Sequence, residues 1–516
     1  MTRLAVCISL VLFFFSAAQA QDGQAPNPCG TQMGRNTWLK RYQQAPETFP
    51  KSNTTLYVPL TIHLLGADSG QGYFSVARLL DAFCTLNSDY EDADIRYYIE
   101  GDILYLANSF WNSHPDVLDG AAMMFENNVA NTINCYFLAD PAGNCGYNLP
   151  YAGIALRKDC SDAADHTWAH ELGHALSIPH PFIGWENGGS YGNPPHNYNN
   201  PAPPFVTYDY TYFKDTLIID TLIIDTAYVE LVDGSNCTFA ADGFCDTSPD
   251  YLANRWDCNA NSESTTQQTD PLGVQFRSDG TLIMSYSDDA CANRFSPEQI
   301  AAMRANLLDE KPHLLYNQTA EAPVSGTPVL LQPANAENVP SNQVELQWQG
   351  AQNATHYLVQ VSRLTTFPGG ITLEYVVTDT LITLPELDVN KTYYWRVRPF
   401  NRQYHCTEFT AYRSFHTEEV TSVGSLSAVE SLKVAPNILT AGQPAVLHAE
   451  VSQQKTLQVM LVSAEGRLLL HTTIEMVPGN NRAEVALPAT LSSGLYLLQI
   501  KDEAGGVYQE KLSVVN

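Results

Sequence analysis

The stretch His166-Thr-Trp-Ala-His170-Glu171-Leu-Gly-His174-Ala-Leu-Ser177-Ile-Pro179-His180 sets three histidines and a glutamate at fixed spacing. On a helix, residues four apart lie about 40° apart around the axis and about 6 Å along it, so His170 and His174 present their imidazoles on one face. They can share one metal ion. Glu171 is rotated by about 100° from His170, where its carboxylate reaches a water held by that metal and can remove its proton. His180 stands six residues after His174 and cannot come from the same straight helix. The chain must turn sharply after His174, and Pro179 forbids simple continuation of the helix. Three neutral imidazoles suit Zn²⁺, and a catalytic site keeps its fourth position open for water. His166, four residues before His170, reads as a first-turn residue, because a second ligand pair would overfill the site. His63 and His405 carry no motif and read as structural.

A second stretch, Leu282-Ile-Met284-Ser-Tyr286-Ser-Asp288-Asp289-Ala-Cys291, places a methionine and a tyrosine two residues apart. Beside it stand Glu230-Leu-Val-Asp-Gly-Ser-Asn-Cys237, Cys245-Asp246-Thr247 and Arg294-Phe-Ser-Pro-Glu-Gln299. The histidine spacing is the metzincin signature, and with these segments the region from about Leu56 to Leu308 resembles the pappalysin family of metzincins. It departs from the family at Ser177, where glycine is usual because it tolerates the positive φ of a helix-ending turn. Further departures are Thr247-Ser248-Pro249 and an insertion after Phe182.

The resemblance implies an α/β metzincin-like catalytic domain and a secreted zinc endopeptidase acting on protein or peptide substrates. His170, His174 and His180 would hold one catalytic Zn²⁺, and Glu171 would pass the water's proton to the leaving amine. Met284 would form an apolar floor beneath the imidazoles, and the Tyr286 phenol would meet a developing oxyanion. The strand around Tyr151 to Leu156 would be the edge onto which an extended substrate adds. Asp288 or Asp289 would border the pocket for the side chain after the scissile bond and favour Arg or Lys there. Asp242, Asp246 and Asp250, or Asp288 and Asp289, could hold structural Ca²⁺, the alternative being a solvated acidic surface. Cys29, in Pro28-Cys29-Gly30-Thr31, would place a thiolate in the open fourth position and keep a zymogen silent. An ordinary disulfide from Cys29 to Cys406 or Cys84 stays open as the alternative.

Working outward, Arg3, the apolar run Leu4 to Phe15 and the small residues Ser16 to Ala20 read as a cleaved signal peptide, 1–20. Residues 21–55 read as a pro-segment and 56–320 as the catalytic domain. Ile183 to Pro204 is a long surface loop, and the repeat Asp215-Thr-Leu-Ile-Ile, Asp220-Thr-Leu-Ile-Ile suits an extended ribbon. Beyond a linker, Val344 to Trp348, Tyr357 to Val361 and Tyr393 to Arg398 resemble a fibronectin type III sandwich over 327–417. The order Leu432 to Asn437, Leu457 to Val462, Gly466-Arg467, Gly494 to Ile500 and Lys511 to Val515 is similar to the C-terminal sorting domain of the Bacteroidetes type IX secretion system, over 424–516. That implies the secretion machinery as a partner and an extracellular or outer-membrane surface location. The whole is read as multidomain, one α/β domain followed by two all-β sandwiches.

Length and charge agree with this division. The chain has 516 residues, enough for about three domains of ordinary size. Lys+Arg 27 against Asp+Glu 55 gives a net charge of -28, which repels phosphate backbones and excludes nucleic acid as a partner. Cys7 leaves with the signal, and most of the other ten cysteines should pair in an oxidising compartment. A rival from another class is a surface adhesin or binding protein whose zinc site is only structural, which would need a fourth Cys or His to close it.

Overall fold

The computed structural model describes residues 26–31, 34–186, 196–213, 220–418, 426–463, 467–502 and 505–515, and for 209–223 the backbone alone. The signal segment, Cys7, the first copy of the repeat and Gly466 lie outside them. The chain divides into two compact units, Met1–Glu321 and Ala322–Asn516. No described helix is long and apolar enough to cross a membrane.

The first unit is built on one mixed sheet. β1 (Leu56–Gly66) is buried along almost its whole length, as expected of a strand with parallel neighbours and both faces covered. β2 (Ile95–Ile99), β3 (Leu104–Ala107) and β4 (Ile133–Leu138) pair with it in parallel. Helix α1 (Thr37–Gln44) precedes the sheet. α2 (Val76–Asp89), capped by Ser75, buries Val76, Leu79, Leu80, Phe83 and Leu86, the helical period of an amphipathic face.

β5 (Gly146–Leu149) and β6 (Gly153–Arg157) form an antiparallel hairpin, and the order across the sheet is β2-β1-β4-β6-β5. This corrects one expectation. The edge is β5, not the strand between Tyr151 and Leu156, because Tyr151 turns at φ 65° and folds the chain back. β6 is thereby covered by β4 on one side and β5 on the other. The edge itself is occupied by residues 27–30. Asn27 bridges Asn144 in parallel sense, the Cys145 amide donates to Asn27 O at 2.7 Å, and the Gly30 amide donates to Gly146 O at 2.8 Å.

Helix α3 (Thr167–Ala175) follows the hairpin and packs under β5 and β6. A two-stranded ribbon, Phe205–Phe213 with Asp220–Tyr228, takes up the second copy of the repeat. α4 (Pro297–Asp309) starts with a reciprocal Ser296–Gln299 capping box. Disulfides join Cys145–Cys160, Cys237–Cys245 and Cys258–Cys291, and Cys84 and Cys406 are also disulfide-bonded. Cys29 and Cys135 are free, buried thiols, so Cys29 makes no disulfide to Cys84 or Cys406.

The second unit is all β. Between Val329 and Glu418 a three-stranded sheet and a five-stranded sheet share one core, with Trp348, Tyr357, Trp395 and Phe415 at its centre. The Tyr393 hydroxyl accepts from the Asp388 amide at 3.2 Å, tying the later corner back to the backbone. Between Val429 and Val514 the same three-plus-five arrangement recurs around Leu447, Val459, Leu461, Leu498 and Leu512. The protein is thus multidomain and strand-rich, with two sandwiches following the mixed unit.

Candidate metal centre

All of Thr167 to His174 is buried, so α3 delivers its histidines inside the unit. The His170 and His174 Nε2 atoms lie 3.1 Å apart, and the His180 Nε2 lies 3.1 Å from the first and 3.0 Å from the second. His170 Nδ1 meets Ile283 O at 2.7 Å and His174 Nδ1 meets Ile178 O at 2.8 Å. Those carbonyls place the ring proton on Nδ1 and leave both Nε2 lone pairs pointing at the shared centre. His180 Nδ1 has no hydrogen-bond partner, and Glu186 Oε1 lies 3.8 Å away. Burial holds all three imidazoles neutral, His170 down to about 4.

Three Nε2 atoms so close together, two of them presenting lone pairs, make a cradle for a cation. In a tetrahedral zinc site with bonds of about 2.05 Å, ligand nitrogens sit about 3.3 Å apart. The donor set fits a first-row divalent metal. Cys29 Sγ completes it, 3.6 Å from His174 Nε2. The four side chains offer ligand atoms all within 4.8 Å of one another, the one such group among the described residues. A Zn–S bond of about 2.3 Å would put the sulfur about 3.6 Å from a ligand nitrogen, so Cys29 sits where a fourth ligand belongs.

The turn that returns His180 uses the conformation expected of glycine. Ser177 adopts φ 73°, its amide donates to His174 O, and the Ile178 amide donates to Gly173 O, closing the helix end. His166 is the N-cap residue of α3, with Nδ1 2.9 Å from Asp89 Oδ2, and stands outside the metal cluster.

Glu171 is fully buried beside the three imidazoles, and burial pushes its carboxyl up to about 8. Its Oε2 accepts from the Thr31 hydroxyl at 3.0 Å, while Oε1 has no partner. The Tyr286 hydroxyl donates to the Cys29 carbonyl at 3.1 Å, and its ring lies against His180 and Phe182. Met284 is fully buried under α3.

Two glycines explain themselves here. A Cβ on Gly173 would stand 2.4 Å from Met284 Sδ, and one on Gly146 would stand 2.9 Å from Glu171 Cγ. Gly173→Ala should therefore destabilise the fold by about 1–3 kcal/mol through overpacking, despite alanine's better helix propensity. Equilibrium denaturation checks this. A stabilised variant would mean that Met284 does not bear on the helix.

The remaining acidic candidates are dispersed. Asp288 and Asp289 both face Arg255, with Asp288 Oδ1 3.4 Å from its Nε. Asp246 caps α4, accepting from Ser296 Oγ and the Glu298 amide. Asp250 accepts from Ser278 and Ser285 hydroxyls. Asp242 has instead a neighbour that the acidic-cluster reading had not picked out, Glu230. Both are buried, with Glu230 Oε2 and Asp242 Oδ2 unpartnered. Burial, with Asp242's charge added, pushes Glu230 up to about 9, and burial pushes Asp242 up to about 7.

No family model and no curated protein matches the chain. Among solved structures that match, the crystal structure of the FN1–FN3 domains of chicken CNTN1 is 11% identical, covering 38% of this chain and 70% of that one at a TM-score of 0.17. A likeness of that score carries no argument about the chemistry of the histidine cluster.

Proposed function

We propose that this protein is a secreted zinc endopeptidase of the pappalysin type, captured in its latent form. The observation that carries the reading is the convergence of three imidazole Nε2 atoms within 3.1 Å of one another, with Glu171, a buried carboxyl on the helix of two of them, outside the ligand group. His170, His174 and His180 would hold the ion, which when bound activates water and polarises the scissile carbonyl. With a cation beside it offsetting the burial that raises its pKa, Glu171 would accept the water's proton and hand it to the leaving amine. Tyr286, released from the Cys29 carbonyl, can donate to the substrate's carbonyl oxygen. The backbone groups of Cys145 and Gly146 that hold Asn27 and Gly30 are the ones an extended substrate would use.

In the structural-zinc alternative, Cys29 closes the site permanently. Against it stands Glu171, a fully buried carboxyl that belongs to no ligand group and that a closed site has no use for. Casein hydrolysis by the processed protein, abolished by a chelator and restored by Zn²⁺, is the expected result. Processed protein that binds zinc and cuts no protein or peptide would overturn the endopeptidase reading.

Glu230 and Asp242 are proposed to bind Ca²⁺, a hard cation suited to paired carboxylates. Both acids have folded pKa values above the ordinary carboxylate range, so without a cation the fold favours their protonated forms. That contribution is complete below the unfolded carboxylate pKa of about 4 and is lost progressively from there until pH passes about 7 for Asp242 and about 9 for Glu230. In a chelator specific for Ca²⁺ the melting temperature should fall across that window, and added Ca²⁺ should raise it most at the alkaline end. Glu230→Gln should flatten both responses, and a variant still responding like the parent would exclude the site.

The last sandwich is proposed to be the type IX sorting domain. Deleting residues 424–516 should trap the protein inside the outer membrane of its source cell. Normal appearance of the truncated chain in the medium would contradict it.

A further inference from the structure

The segment ahead of β1 is not one structural piece. Residues 27–31 touch the edge strand and the metal cluster. Residues 35–49 hydrogen-bond to neither the edge strand nor the four candidate ligand side chains and are built into the unit. The Arg35 guanidinium donates to the carbonyls of Thr238 and Phe239 at 3.2 and 2.7 Å, and Gln43 Nε2 donates to Asp242 O at 2.8 Å. Trp38 Nε1 and the Arg41 guanidinium both donate to Asp309 Oδ2, at 2.9 and 2.7 Å. Leu39 is completely buried, and the rings of Trp38, Tyr42 and Phe49 pack on one another. An element with that much buried apolar surface and so many anchored polar groups behaves as core, not as a cover to be shed.

Asn36 joins this element to the metal centre. Its Oδ1 caps α1 by accepting from the Leu39 amide at 2.8 Å. Its Nδ2 donates to Ser177 Oγ at 2.9 Å, and Asn306 Nδ2 on α4 donates to the same oxygen at 3.1 Å. Ser177 is the residue held at φ 73° between His174 and His180. A non-glycine residue strains in that region, and two hydrogen bonds from different elements on one hydroxyl hold it there.

We propose that residues 35–49 are a permanent clamp that stays on the catalytic unit when residues 27–31 are removed, and that Asn36, with Asn306, is a positioning residue for His180. The second half rests on the metal reading above, and the first on the processing proposed there. In this chain a serine with two struts replaces the conformational freedom of glycine, and one strut comes from the segment ahead of the catalytic fold.

Two measurements test it. Intact mass and N-terminal sequencing of the secreted, processed protein should show residues 35–49 present, as the new N-terminus or as a co-purifying peptide. Processed protein lacking any part of them overturns the clamp. In the full chain, Asn36→Ser keeps a residue that caps helices well but is too short to reach Ser177. Titration with Co²⁺ alone, followed by its visible absorption against a competing chelator, should show about tenfold weaker binding, as for other supporting residues around metal sites. Adding Ser177→Gly should return the affinity to near that of the parent, because glycine adopts positive φ unaided. Unchanged affinity in Asn36→Ser, or a double variant no better than the single, overturns the strut. A parent that binds no Co²⁺ removes the metal reading and the strut with it, while the mass measurement still decides the clamp.

Discussion

Glu171→Ala is expected to lower peptide hydrolysis by the processed protein by roughly 10²–10⁴-fold while leaving its zinc content unchanged. The two effects separate because Glu171 adjoins His170 in sequence but contributes nothing to the ligand set. Its side chain lies between the helix and Gly146 of the edge strand, with one oxygen on Thr31 and the other unpartnered. That position serves a proton carrier that must reach water and then the leaving amine. His180→Ala makes the contrast, since it removes a ligand whose Nε2 lies within 3.1 Å of both others and should cost metal and activity together. Zinc analysis beside kinetic assay decides the matter. Loss of zinc from Glu171→Ala would mean that the roles of carboxylate and imidazole are misassigned.

The clustering of His170, His174 and His180 was readable because their spacing encodes geometry locally. His170 and His174 are one helical turn apart, and Pro179 announces that the helix has ended before His180. The burial of Met284 and Tyr286 against the cluster was readable only through resemblance, since more than 100 residues separate them from α3. Ser177 stands where glycine would take the positive φ of the turn unaided. The turn forms regardless, because Asn36 and Asn306 reach its hydroxyl from positions no local pattern connects.

The order of strands at the sheet edge was misjudged for a similar reason. A period-two pattern marks a strand but not its neighbours, and β5 and β6 differ only in which one β4 accepts. Arg255, 33 residues before Asp288, is likewise invisible as the partner of the acidic pair. Gly173 did carry a signal. A glycine inside a helix costs about 1 kcal/mol against alanine, so its presence between Glu171 and His174 asks for a packing reason, which Met284 supplies. The sandwiches were legible as short alternating runs because each buries its own core with no help from distant segments.

Cys29→Ala should convert a latent protein into one that is active without processing, the largest gain of function open to a single substitution in this chain. Cys29 Sγ stands 3.6 Å from His174 Nε2, at the fourth corner that a catalytic water would need. Burial, reinforced by the nearby Glu171 carboxyl, pushes the free thiol's pKa up, so the sulfur becomes a strong ligand only when a cation takes its proton's place. Thr31 meanwhile occupies Glu171, and the Cys29 carbonyl occupies the Tyr286 hydroxyl. On the endopeptidase proposal, one short strand would therefore block the metal position, the base and the oxyanion donor at once. Removing the sulfur frees only the metal position, so the variant should show partial activity, with full activity reached when residues 27–31 are cut away. Thr31→Val added to Cys29→Ala should raise the unprocessed activity further by releasing Glu171. The chain beginning at Gln21 is assayed beside both variants before and after processing. Equal latency in parent and Cys29→Ala would show that the sulfur is not the switch and that the rest of residues 27–31 suffices to block the site.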